Sequence, residues 1–178
     1  MAGGHDNGGA ARPAPRDRGF SLVEVMVAAA LMGVGVAAVM IAMQSGTNVN
    51  AAGRDLTQAC YLAQEIREWT LMLPFSDPDL ADQGNPPGPD GSDPQVFVDD
   101  LDDLIGVTYS PPRDGNSNPI AELANWSQQI DLEWKDPDSL RSTVAPGSTD
   151  IIRVKVTIRH DDTPVLDTGW LVSRRRLQ

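Results

Sequence analysis

The chain has 178 residues, with 25 acidic against 14 basic side chains and a net charge of −11. That length accommodates one domain plus an appendage, and the acidic balance disfavours nucleic acid and anionic membrane surfaces as partners of the globular part. A single cysteine, Cys60, excludes an intramolecular disulfide and any four-cysteine metal site.

Residues 1–19 are Gly, Ala, Pro and charges without periodicity, and read as a disordered leader. The leader carries Arg12, Arg16 and Arg18 and leaves 11 basic and 23 acidic residues after Gly19, a net charge near −12. It is followed by Phe20-Ser21-Leu22-Val23-Glu24 and then by nineteen uncharged apolar residues, Val25 to Met43. At about 1.5 Å per residue this run spans a hydrocarbon core of about 30 Å. It has no polar face, so residues 20–43 read as a transmembrane helix. The basic residues precede the run and the next one is Arg54. The positive-inside rule therefore places the N-terminus in the cytoplasm and the bulk of the chain outside it.

A carboxylate at the head of such a run is expensive, and Glu24 is a functional candidate for that reason. The run is longer than a secretory apolar region, and no pattern of small residues follows it, so any cleavage falls before it. Gly33-Val34-Gly35-Val36-Ala37-Ala38 matches a dinucleotide-binding pattern in letters only. That site needs a strand before it and a helix opening on it. Ala29, Gly33 and Ala37, spaced by four, instead give a small-residue face for close helix packing.

From Ala51 a helical period returns, with Leu56, Ala59, Ala63, Ile66 and Thr70 on one side and charges on the other. Residues 44–73 read as an amphipathic helix, stopped by Pro74, with Cys60 as a small packed hydrophobe. Residues 74–119 read as an acidic, Pro- and Gly-rich loop region with a short strand or helical turn near Gln95–Ile105. Within it Asp90-Gly91-Ser92-Asp93 sets two carboxylates around a glycine. A calcium ion uses such oxygens, but no complete EF-hand pattern is present, and a solvated acidic loop is the reading preferred. No other cofactor is expected.

Residues 120–178 carry the strands. Ile130, Leu132 and Trp134 alternate with polar residues, and so do Ile152, Val154, Val156 and Ile158. Asp161-Asp162-Thr163-Pro164 makes a hairpin turn and residues 165–173 return, which predicts an antiparallel meander. Trp126, Trp134 and Trp170 are expected as core anchors. The predicted fold class is α+β, a long N-terminal helix packed on a small antiparallel sheet. No catalytic constellation stands out: apart from His5, His160 is the sole histidine.

The stretch Arg18-Gly19-Phe20-Ser21-Leu22-Val23-Glu24 resembles the type IV prepilin processing site, and the apolar run resembles the pilin N-terminal helix. Ala59-Cys60-Tyr61-Leu62-Ala63-Gln64-Glu65 is similar to the helix of minor pilins and minor type II secretion pseudopilins. The resemblance implies that a prepilin peptidase cuts between Gly19 and Phe20 and N-methylates Phe20. It also implies that Glu24 guides the subunit into a filament with other pilin or pseudopilin subunits at the bacterial inner membrane. Ile41 stands where many pilins have proline, and one cysteine forbids the C-terminal disulfide common in the family. Both absences favour a minor subunit over a major one. Arg174-Arg175-Arg176 could contact an acidic neighbour subunit or DNA, but against the acidic background a solvated strand end is preferred. Two other readings are a DNA-uptake pilin and an unprocessed, membrane-anchored binding module. An anchored hydrolase is a third, more distant class.

Overall fold

The computed structural model describes residues 19–79, 84–89 and 93–174. The chain divides into two units, Met1–Thr47 and Asn48–Gln178. A single helix, α1 (Leu22–Met72), supplies the described part of the first unit and opens the second. The polar stretch 44–50 stays helical, because Gly46 and Asn48 each cost no more than about 1 kcal/mol and neither removes a backbone donor.

In the second unit α1 packs on an antiparallel sheet. The strands are β1 (Val107–Tyr109), β2 (Trp126–Asp136), β3 (Ser139–Thr143), β4 (Ile151–His160) and β5 (Thr163–Ser173), with a spatial order β1-β2-β4-β5 and β3 paired to β2. The fold class is thus α+β as the sequence predicts. β1 lies inside the stretch read as loop, and three residues are too few for alternation to show. Gln95–Ile105 contains a 3-10 turn at Asp102–Leu104. β3 is exposed along its length and has no apolar face to betray it. It is held by Lys135, whose buried ammonium donates to Thr143 Oγ1 at 2.8 Å and pairs with Glu133 at 2.7 Å.

The buried stripe of α1 is Ala59, Leu62, Ala63, Ile66, Trp69 and Thr70. Leu56, a turn earlier, is 47% exposed, and the first fully covered residue is Ala59. Cys60 is exposed, which corrects the expectation that it packs: it neighbours Ala59 in sequence and so points about 100° around the helix from it. From the sheet, Ile152, Val154, Val156 and Ile158 close the core together with Ile130, Trp126 and Trp134. Trp170 is only partly buried because β5 is at the sheet edge. Its indole N–H donates to Thr70 Oγ1 at 3.1 Å and ties β5 to α1.

Gln128, which sequence reasoning leaves unremarked on β2, is a buried polar hub. Its amide donates to the carbonyls of Leu62 and Arg113 at 3.0 Å each, and its oxygen accepts from Arg113 N–H at 2.6 Å. It thus joins helix, sheet and connecting loop. Such a network is favourable only while every member is satisfied.

The hairpin turn is tighter than expected. Asp161 and Asp162 both adopt positive φ, 47° and 62°, as a two-residue type I′ connection requires, and Thr163 and Pro164 already belong to β5. Proline is tolerated there because β5 is an edge strand. Gly169 on β5 is obligatory: a Cβ would sit 2.6 Å from the Val154 carbonyl oxygen.

The segment after α1 inserts Leu101 and Leu104 fully into the core between aspartates. Asp100 Oδ1 accepts from the N–H groups of Asp102 and Asp103 at 2.8 and 3.2 Å, and Asp103 Oδ2 accepts from Asp99 N–H at 3.0 Å. Burial first, then the hydrogen bond to Asp103 and the charges of Asp103, Asp77 and Asp100, push the Asp99 carboxyl up to about 6. A folded-state value above the unfolded one means that the folded form binds this proton more tightly. The associated stability is present below about pH 4 and is lost as pH rises through about 6. Asp99→Asn keeps the hydrogen bond without the charge. We expect it to flatten the dependence between pH 4 and 6 and to raise stability at pH 7 by ~1–2 kcal/mol, measured as urea midpoints across pH. Parallel curves for variant and wild type would refute this assignment.

Candidate functional site

The residues singled out in the sequence, Gly19, Phe20 and Glu24, meet at the start of α1. Ser21 caps the helix. Its carbonyl accepts from Val25 N–H at 3.1 Å, and its hydroxyl accepts from Glu24 N–H at 3.2 Å. Ser21 and Glu24 therefore stand at the N-cap and N3 positions of a capping box, and Phe20 and Val25 at the two positions of a hydrophobic staple. Sequence reasoning took Ser21 only as a letter of the motif, although Ser-x-x-Glu ahead of an apolar run is itself the signal of a helix start.

The cap has a chemical consequence. It fixes Glu24 in the first turn, where a carboxylate is favoured by the unpaired N–H groups of the helix end. Glu24 lines one groove with Phe20, Val25, Ala28, Ala29 and Met32. Phe20 is 82% exposed, and Glu24 is exposed as well. A Cβ built on Gly19 meets nothing within 4 Å. The peptide bond ahead of Phe20 is thus accessible, and a larger residue at position 19 is harmless to this fold. Cutting that bond would create an α-amine one residue before the cap and one turn from the Glu24 carboxylate.

Ala29, Gly33 and Ala37 lie exposed on α1, and a Cβ on Gly33 also finds open space. α1 is long and apolar enough to cross a membrane, and none of its apolar window is buried within the chain. An exposed apolar helix of this kind fits a single-pass membrane anchor.

The remaining candidates lie apart from this end of the chain. His160 stacks on Trp126 with ring centroids 4.3 Å apart, faces Asp55 at 3.4 Å and meets Asn125 at 2.7 Å. No nucleophilic side chain joins it among these contacts. Of the calcium candidates, Asp90, Gly91 and Ser92 lie outside the described residues. Asp93 Oδ1 accepts from Gln95 N–H at 2.9 Å. Among the described residues no group of three or more His, Cys, Asp or Glu is arranged to hold a metal ion. Arg174 lies over the Phe75 ring at 5.1 Å and pairs with Asp150 at 3.3 Å, while Arg175 and Arg176 lie outside the described residues. Residues 1–18, with Arg12, Arg16 and Arg18, do so as well.

An accessible junction, a capped helix start with an acidic residue at its third position and an unburied apolar helix fit a single-pass, membrane-anchored subunit. Residues 15–40 match the family described as "Prokaryotic N-terminal methylation motif". The match supports a type IV pilin-like subunit processed by prepilin peptidase and assembled with other pilin-like subunits. No curated protein and no solved structure matches the chain.

Proposed function

We propose that the chain is a minor pilin or pseudopilin, a structural subunit of a type IV pilus or type II secretion filament. The supporting observation is that the matched segment, residues 15–40, coincides with the capped, exposed start of α1. In this reading prepilin peptidase cuts between Gly19 and Phe20 and Phe20 is N-methylated. The N-terminus faces the cytoplasm and the sheet-bearing unit lies outside it. Ala29, Gly33 and Ala37 serve as the contact face toward neighbouring helices. The preference for a minor subunit rests on Ile41, where many pilins have proline, and on the single cysteine.

Intact-mass analysis of the membrane form tests the processing step. A mature chain starting at N-methyl-Phe20 is expected, and one that starts at Met1 or is cut after Met43 excludes it. Gly19→Val should leave the precursor uncut, because a β-branched side chain crowds a peptidase subsite shaped for glycine. Since that position is open in the chain itself, loss of cleavage would report on recognition and not on misfolding.

A further inference from the structure

β5 forms an edge of the sheet: it pairs with β4 on one side, and no described strand flanks the other. Eleven residues at about 3.3 Å each leave a row of backbone donors and acceptors ready to pair with another chain. Natural edges are usually blunted by charges, prolines or bulges. Here Pro164 and the register shift opposite Ile158/Arg159 sit at the beginning of the strand. From Leu166 to Ser173 the ladder is regular and carries one charge, Asp167, whose carboxylate already accepts from Thr157 Oγ1 at 2.6 Å. Leu171 is 46% exposed on the face away from α1.

We propose that two copies of this chain pair antiparallel through β5, about a two-fold axis at Thr168. The sequence of the edge selects this register. Centred on Thr168, it sets Thr168 opposite its own copy, Leu166 opposite Trp170 and Asp167 opposite Gly169. Threonine pairs and aromatic–aliphatic pairs are favourable across strands. Moving the centre one residue back sets Asp167 against Asp167, and like charges directly opposite are destabilising. Moving it one residue forward sets Asp167 against Leu171. The ends agree with the same centre. The acidic turn Asp161-Asp162 of one copy comes to the Arg174 end of the other, and Arg174, paired with Asp150, keeps 49% of its side chain exposed. A two-fold axis makes each of these contacts twice. The pairing depends on the globular unit alone and does not require the filament reading above.

The test uses the full-length chain in detergent micelles with Cys60→Ser, so that an added cysteine is unique. Thr168→Cys should give a disulfide-linked dimer on mild oxidation, because residues facing each other in an antiparallel pair lie about 4.5–5.5 Å apart at Cα, within disulfide reach. Ser142→Cys, exposed on β3, is the collision control. Adding Leu171→Asp to Thr168→Cys should slow cross-linking by at least about threefold, because position 171 lies diagonal to the partner's Asp167 in this register and the two-fold axis makes that like-charge contact twice. Cross-linking no faster than the Ser142→Cys control, or insensitive to Leu171→Asp, overturns the proposal. Sedimentation tests it without a cross-link: a two-copy mass that falls with Leu171→Asp supports the pairing, and a two-copy mass unchanged by Leu171→Asp, or a one-copy wild-type mass up to roughly 100 µM, a threshold of about 5–6 kcal/mol, overturns it.

Discussion

Glu24→Ala is expected to leave the subunit in the membrane and largely absent from its assembly. Removing a carboxylate from the head of an apolar helix makes insertion easier, since an intramembrane charge is costly on any scale. The cap survives, because the Glu24 N–H still reaches the Ser21 hydroxyl. What is lost is the anion that would face the new α-amine of a neighbouring subunit. Breaking a buried ion pair by removing one partner costs about 3–5 kcal/mol, which is about two to four powers of ten in an association constant. Co-purification of partner subunits from membranes, wild type against variant, measures this. Equal recovery would reduce Glu24 to a residue of the helix cap and remove the assembly mechanism.

Val156→Asp should unfold the sheet-bearing unit. Val156 is 1% exposed at the middle of the sheet, between Ile130 on β2 and Thr168 on β5. The core residues packed with it are apolar and the buried ammonium of Lys135 is already paired with Glu133, so a carboxylate there is unpaired, which costs several kcal/mol against a typical domain stability of about 5–15 kcal/mol. Loss of cooperative urea unfolding, followed by tryptophan fluorescence, is the expected readout. Arg153→Gln on the solvent side of the same strand should shift stability by no more than about 0.5 kcal/mol. A variant at position 156 with a wild-type midpoint would mean that the alternation has been assigned to the wrong face.

The parts of this fold that follow a strong period were legible in the sequence. Ile152, Val154, Val156 and Ile158 alternate without a break, and all four are buried. The apolar run and the Ser-x-x-Glu start likewise carry their meaning locally. What escaped prediction depends on distant partners. β3 is held where Lys135 of β2 meets Thr143 across the β2–β3 pair, and Gln128 is buried because the Leu62 and Arg113 carbonyls converge on it. Cys60 was misplaced for a simpler reason. Its apolarity suggested packing, whereas its angle on α1 decided its exposure. At the N-terminal site the residues were visible in the sequence, but the cap that sets their geometry was not named.

The bond from Trp170 to Thr70 joins residues 100 positions apart. Its consequence concerns synthesis. The helix that supplies five of the sixteen buried core residues is made first, and β5 is made last. At a ribosomal rate of about 5–20 residues per second, Leu62, Ile66 and Trp69 wait on the order of 5–20 seconds for the strand that completes their cover. During that interval a half-made chain presents a bare apolar stripe. Contacts this distant in sequence also slow folding after release. Folding of the sheet-bearing unit is therefore expected to benefit from a holding chaperone, and to be most fragile when translation is slowed between Trp69 and Trp170.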